Sequence, residues 1–356
     1  MTKLFISDLQ GKEEIESLFL VKIFNVMEGK DGKKYFNIIL SDASGDLESR
    51  LWNYSAEVEK NISKGTFVRV RGKLNFYQGR KQFIISSLEK VSADSVNTED
   101  FVMSSSQDPE VMYRKLLGII SGLKDVYIRD LLTNITSDPE ISRRLKTWQA
   151  GKTIHHAYRS GLLEHILSCT ELALHLSKHY RVNENYVVAG CILHDLCKIY
   201  ELTDGVNVEY TEEGKLVGHL VKGLEIVDRY SYKIKNFPHY TKMHLKHILL
   251  AHHGEYEYGS PKVPQTSEAF LVHLIDLMDS KMGTLDIIKK TDSTVGHWSG
   301  FVKHLDRIIY KSDLPFYPDY VADEPEHQNS APKNRPVVNE PKTSLGKILG
   351  GLKVDE

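Results

Sequence analysis

Val187-Val188-Ala189-Gly190-Cys191-Ile192-Leu193-His194-Asp195-Leu196-Cys197-Lys198 reads as an apolar helix that ends in an imidazole and a carboxylate side by side. His165 precedes it, and His219, His252 and Asp276 follow it. These groups stand tens of residues apart, so only a fold can bring them to one point. A mixture of imidazole and carboxylate is what divalent transition metals take as ligands. The pattern points to a metal site with His165, His194, Asp195, His219, His252 and Asp276 as its ligands.

Outward from that stretch, apolar residues recur at helical spacing, as in Leu162, Ile166, Cys169, Leu172, Ala173 and Leu176 and later in Leu245, Ile248 and Leu249. This spacing predicts an all-helical region around the site. On the last of these helices His252 shares the inward face, while His253 is rotated by about 100° and reads as a substrate contact. In Leu274-Ile275-Asp276-Leu277-Met278-Asp279 two carboxylates interrupt an apolar helix, and a buried carboxylate is costly unless paired or metal-bound. Asp276 is the first choice as ligand and Asp279 the reserve. Asp195, with two oxygens, is placed to bridge two ions. Lys198 lies one turn further on and reads as a point charge for a substrate phosphate rather than a ligand. Phosphoester hydrolysis suits such a centre, because it needs a water whose pKa is lowered toward ~7 and positive charge around the transition state. His175, His179, His239, His244, His247 and His273 read as ordinary packed histidines, and His155 and His156 as candidates for the mouth of the site.

Length and composition are those of a globular chain: 356 residues, 41% apolar and 26% charged, which suits about two domains. A net charge of −2 argues against a generally basic nucleic-acid binder, so any such contact must come from a local patch. Cys169, Cys191 and Cys197 lack C-x-x-C spacing and sit in apolar helical contexts, which predicts reduced core thiols and a cytoplasmic location. No stretch approaches the ~18 apolar residues of a membrane span and the N-terminus carries no apolar h-region, so neither membrane insertion nor secretion is expected.

Residues 1–91 show β-type alternation in five runs: 18–24, 35–40, 47–52, 67–72 and 82–85. Turn signals separate them, and a helix fits around Ser55 to Ile62 between the third and fourth strands. That order is the one an OB-fold barrel requires. Residues 92–150 are expected to hold a polar linker through Gln107 and then connecting helices, with Val111 to Trp148 packing the two domains together. Residues 151–315 form the helical domain, and 316–356, rich in proline and polar residues, are expected to be disordered. The fold class is thus a small all-β barrel followed by an all-α domain.

Between Ser63 and Gln82 there are six basic residues and no acidic one. Arg69, Arg71 and Lys73 alternate with Val68 and Val70, so a strand presents all three cations on one face that can track phosphates. Phe76, Tyr77 and Tyr35 offer stacking surfaces for bases, whereas Trp52 reads as core.

The series His165…His194-Asp195…Asp276 is similar to the H…HD…D signature of the HD-domain phosphohydrolases, and His219 and His252 match the additional histidines of their two-metal members. The segment Ile154-His155-His156-Ala157-Tyr158-Arg159-Ser160-Gly161-Leu162-Leu163-Glu164-His165, together with Ala251-His252-His253-Gly254-Glu255 and an OB-like domain in front, resembles the YhaM-type 3′→5′ exoribonucleases over roughly residues 1 to 315. The resemblance implies a manganese-preferring exonuclease, with room for two ions, that trims single-stranded RNA, and DNA, to mononucleotides. It also implies a homo-oligomer. In that reading a metal-bound hydroxide is the nucleophile, Asp195, Lys198 and His253 serve catalysis, and Arg159 helps steady the phosphate. Mn²⁺ is not fixed by the ligand set, which Co²⁺ and Fe²⁺ tolerate equally. Cys197 departs from the glycine that many HD proteins carry before the lysine. Two other readings stay open: an HD phosphohydrolase of a small nucleotide with a regulatory OB-fold, and a single-strand-binding protein with a vestigial site.

Overall fold

The computed structural model describes residues 3–9, 14–77, 80–152, 156–292, 294 and 296–312, with the backbone alone at Phe76, Tyr77 and Arg80. Five strands, β1 (Glu14–Glu28), β2 (Lys34–Asp42), β3 (Gly45–Leu51), β4 (Phe67–Tyr77) and β5 (Arg80–Val91), close into a barrel in the order β1-β2-β3-β5-β4. Only β3 and β5 pair in parallel; the other neighbours are antiparallel. A short helix α1 (Ala56–Asn61) joins β3 to β4, and the Ser55 hydroxyl accepts from Val58 N–H as its N-cap. This is an OB-fold. Its core is the inward set Phe19, Phe36, Ile38, Leu40, Val70 and Phe83, all fully buried. β4 alternates as its sequence requires, with Val68, Val70 and Leu74 inward and Arg69, Arg71 and Lys73 exposed.

The polar stretch after β5 is not a free tether. Phe101 is buried beside Leu20, and its ring meets Phe67 edge-on at 4.9 Å. Backbone bonds fasten the stretch on both sides: Ala43 N–H donates to Asp100 O, Arg159 N–H to Met103 O and Ser105 N–H to Arg159 O. Three helices follow, α2 (Pro109–Ser121), α3 (Val126–Thr136) and α4 (Pro139–Leu145), each N-capped by an aspartate. Their apolar faces, including Met112, Leu116, Ile128 and Leu131, join one core with Ile166, Ile192 and Ile248. They therefore enlarge the helical domain rather than fill a seam between the two domains.

The rest of that domain comprises α5 (Gly161–Tyr180), α6 (Glu184–Leu193), the short α7 (Lys198–Glu201) and α8 (Glu212–Leu216), α9 (Gly218–Tyr232), α10 (His239–Ala251) and α11 (Ser267–Thr291). α6 is its axis: every residue from Val187 to Leu193 is buried. At Gly190 a Cβ would come within 2.7 Å of both Ile248 Cγ2 on α10 and Val272 Cγ2 on α11, so the glycine lets three helices cross closely. That crossing delivers His194 and Asp195, at the end of α6, to the ends or inner faces of the other helices. Among the described residues no helix is long and apolar enough to cross a membrane. The proline-rich stretch 316–356 lies outside the described residues.

Candidate metal centre and nucleic-acid face

His165 projects from α5, His194 and Asp195 follow α6, His219 opens α9, His252 follows α10 and Asp276 lies on α11. Each of the four imidazoles has its Nδ1 committed. His194 Nδ1 donates to Cys191 O at 2.9 Å and His252 Nδ1 to Leu249 O at 2.8 Å. A carbonyl can only accept, so the proton sits on Nδ1 and the lone pair on Nε2. Carboxylates do the same for the other two: Asp279 Oδ2 lies 2.7 Å from His165 Nδ1, and Glu201 Oε1 lies 2.9 Å from His219 Nδ1. Four Nε2 atoms consequently face inward.

There they meet two carboxylates. His165 Nε2 is 3.0 Å from His194 Nε2, 3.4 Å from Asp276 Oδ1 and 3.5 Å from Asp195 Oδ2. Two nitrogen lone pairs opposed at that distance repel unless a cation or a proton lies between them. On the other side of the same carboxylate, Asp195 Oδ1 is 3.6 Å from His219 Nε2 and 3.8 Å from His252 Nε2. Both of those nitrogens, and His253 Nδ1, are buried without a hydrogen-bond partner. The ligand atoms of His165, His194, Asp195 and Asp276 lie within 4.8 Å of one another, as do those of His219, His252 and His253. The two groups meet at Asp195, and the donor set fits divalent metal.

Charge follows the same division. Burial opposes ionisation of Asp195, but Lys198, His194 and His219 outweigh it and hold the carboxyl well below its usual range. Asp276 is held low against burial by His165 and His194. Burial also disfavours a charged His165, yet its neighbours Cys169, Asp276 and Asp279 raise its pKa well above the ordinary value. Burial pushes the Cys169 thiol up to about 11, so it is neutral at pH 7 and the carboxylates are the effective cause. His252 is driven the other way, first by burial and then by His194 and His253, which keeps its imidazole neutral.

The remaining candidates sit as follows. Lys198 Nζ is 2.6 Å from Asp195 Oδ2, with its side chain only 14% exposed. His253 is stacked edge-on against His252, ring centres 4.3 Å apart, and groups with the second set of ligands. Asp279 is turned away from the cage and accepts from His165, His156 and Ser168. Arg159 is not at the cage: its guanidinium lies 3.8 Å from Glu99, in a cleft with Thr98, Thr147 and Asp204. His155 lies outside the described residues. Of the histidines read as packed, His175, His179 and His239 are exposed, whereas His273 donates to His252 O and steadies the turn that carries His252.

On the barrel, the cations of β4 are exposed but partly answered by β1: Arg71 Nε is 3.5 Å from Glu14, and Arg69 Nε is 4.0 Å from Glu16. The side chains of Phe76 and Tyr77 lie outside the described residues. The aromatic surface is elsewhere. Trp52, expected in the core, is 55% exposed, and its ring lies 4.9 Å from that of Tyr35, with the Arg50 guanidinium 5.8 Å from Tyr35 on the same outer side of β2 and β3. Leu51 closes the inner row of β3, so Trp52 falls on the outer side of the strand end.

Residues 162–281 match the HD domain family, and residues 20–91 match the OB-fold nucleic acid binding domain family. A 3′-5′ exoribonuclease YhaM from Halalkalibacterium halodurans is 32% identical over 308 residues, covering 86% of this chain and 95% of that protein. Its counterpart from Oceanobacillus iheyensis is 33% identical over 275 residues, covering 77% and 86%. The chain belongs to the YhaM family of 3′-5′ exoribonucleases. Among solved structures it resembles the second OB-fold domain of replication protein A from Methanococcus maripaludis, at 20% identity over 27% of this chain and 100% of that one, with a TM-score of 0.22.

Within this YhaM-family chain, sequence reasoning missed the groups that act through others. Glu201 reads as one more surface glutamate three residues past Lys198, yet burial of its carboxylate is outweighed by the His219 bond and its pKa is lowered. Its one sequence signal is helical spacing from Lys198. Ser168 carries none that distinguishes it from an ordinary helix residue, and His156, expected at the mouth of the site, is instead buried against Asp279.

Proposed function

We propose that this chain removes nucleotides from the 3′ end of single-stranded RNA by metal-dependent phosphodiester hydrolysis, with Mn²⁺ as the working ion and DNA as a second substrate. The reading is carried by one observation: four imidazole Nε2 atoms and two carboxylates converge, and Asp195 offers one oxygen to each half of the set. His165, His194, Asp195 and Asp276 would hold one ion, and His219, His252 and Asp195, with His253 beside them, a second. Bound there, divalent ions supply an acidified water near neutral pH and positive charge against the developing phosphorane.

The chain's own groups do the rest. Asp279 and Glu201 fix the two histidines whose Nδ1 they accept from. Lys198 brings a buried cation to within one side chain of the cage, where it can meet a non-bridging phosphate oxygen as Asp195 engages metal. The Tyr35–Trp52 pair offers a base-stacking surface, and β3, which bears Arg50, packs against α11, the helix of Asp276.

Purified protein mixed with 5′-labelled single-stranded RNA should give a ladder shortening from the 3′ end only when Mn²⁺ is added. Asp195→Ala should abolish the ladder and leave RNA binding within about twofold. RNA left intact with Mn²⁺, Co²⁺ and Fe²⁺ in turn would reject the reading in favour of a small-nucleotide substrate.

A further inference from the structure

Behind the cage lies His156, whose ring centre is 5.4 Å from that of His165 but which does not face the other candidate ligands. His156 is buried, and its backbone adopts φ 50°, a left-handed conformation that residues with a Cβ rarely take. The chain is pinned there by Ala150 N–H donating to His156 O at 3.1 Å. Two glycines vacate the space it needs. A Cβ at Gly161 would lie 2.1 Å from His156 O, and one at Gly283, on α11, would lie 3.0 Å from His156 Nε2. The ring so fixed places Nε2 3.0 Å from Asp279 Oδ2 and Nδ1 2.8 Å from the Tyr158 hydroxyl. A carboxylate only accepts, so Nε2 carries a proton and donates to Asp279, while Nδ1 is held by the Tyr158 hydroxyl. The same Asp279 oxygen takes the Nδ1 proton of His165 at 2.7 Å, and the Ser168 hydroxyl donates to the other oxygen.

We infer that His156 is a positioning residue for the metal centre: through Asp279 it fixes the orientation and tautomer of His165, and so the affinity of the first ion site. His156 and His165 thus share one acceptor: both donate to Asp279 Oδ2, His165 from the cage side and His156 from behind it. Without the donor at His156 one Asp279 lone pair is left buried and unsatisfied, and the carboxylate is free to rotate off His165. The ring is buried, so it acts through Asp279 rather than at the surface. The inference rests on the metal reading of the site.

Mn²⁺ alone, titrated calorimetrically into the full chain, separates the two. His156→Phe keeps the ring and removes the donor, and it should weaken Mn²⁺ binding about 10- to 100-fold. His156→Gln retains an N–H for Asp279 and should recover most of that loss. Gly283→Ala presses on the Nε2 edge of the ring, where it bonds Asp279; it should weaken Mn²⁺ binding while leaving the melting temperature unchanged or higher, since alanine favours a helix over glycine. A merely structural His156 would move stability and affinity together. Parent-like affinity in His156→Phe, with the parent binding Mn²⁺, overturns the inference and leaves the metal reading intact. A parent that binds no Mn²⁺ overturns both. Should the Phe variant fail to fold, a parent-like affinity in Gly283→Ala is the overturning result.

Discussion

Asp195 reaches each half of the ligand set with a different oxygen, so the groups that aim the histidines at it decide how well either half is formed. Glu201 is the clearest of these. It accepts from His219 Nδ1 at 2.9 Å and from His219 N–H at 3.2 Å, fixing both ring and backbone. Glu201→Ala should raise the Mn²⁺ concentration needed for half-maximal RNA shortening about 10- to 100-fold, with RNA binding unchanged; an unshifted Mn²⁺ dependence would mean His219 is oriented by packing alone. Asp138 offers a stability counterpart away from the centre. It caps α4 and accepts from the Tyr230 hydroxyl at 2.8 Å; that bond foremost, with Ile141 and Glu140 N–H, lowers its pKa against burial. A depressed folded value means its contribution is complete above the unfolded pKa of about 3.9 and is lost as pH falls through the lower folded value. Asp138→Ala should therefore cost about 1–2 kcal/mol at pH 7 in urea unfolding, and the gap to the parent should shrink at pH 3. A gap that widens on acidification would contradict the assignment. The candidate ligands were legible because imidazole and carboxylate in apolar stretches have few other uses. Glu201 was not, and His156 was read as a residue of the site mouth rather than a partner of Asp279, since a residue that acts through a neighbour has no pattern of its own until the neighbour's position is known.

Helices and strands were legible wherever one face is buried and one is not, and were misread where a distant segment supplies the partner. β4 is the favourable case, with Val68 and Val70 inward and Arg69, Arg71 and Lys73 outward as alternation demands. β1 is the other: its first residues, Glu14 to Ser17, look polar, and Ser17 is 6% exposed because its hydroxyl bonds Leu4 O on the N-terminal arm. No local rule reveals that partner. Trp52 failed for a related reason, a large apolar ring at the end of a strand being packed more often than displayed. α6 carries a different lesson. Its all-round apolarity marks it as buried, but the role of Gly190 needs α10 and α11 in place. Gly190→Ala should gain about 1 kcal/mol of helix propensity and lose about 1–3 to overpacking against the buried Ile248 and Val272, for a net fall in melting temperature. Because the strain falls on the helix that delivers His194 and Asp195, RNA shortening at a temperature where the variant is folded should drop as well. A variant as stable and active as the parent would show that the three helices can part without moving the centre.

At the scale of the whole molecule, the question is what holds RNA while its end is cut. The net charge of −2 leaves no general field to attract a polyanion, and the β4 cations are partly spent on Glu14 and Glu16. A pair of cations already facing carboxylates gains little from a phosphate, because the acids must be left unpaired or the phosphate held near them. Stacking has no such cost: the exposed Trp52 ring and its Tyr35 neighbour meet any base face. Stacking is worth about 1–3 kcal/mol per base, so Trp52→Ala should weaken single-stranded RNA binding roughly 5- to 150-fold with little change in its salt slope. Replacing Arg69, Arg71 and Lys73 together with alanine should change the slope by about 0.7 log units per phosphate contact actually lost. The pairing with Glu14 and Glu16 predicts that this sum stays below the three-contact value of about 2. The two variants are best compared in an Asp195→Ala background, where substrate survives the titration. A three-contact change in slope, together with unchanged affinity in Trp52→Ala, would return the track to β4 and leave the aromatic pair without a role in binding.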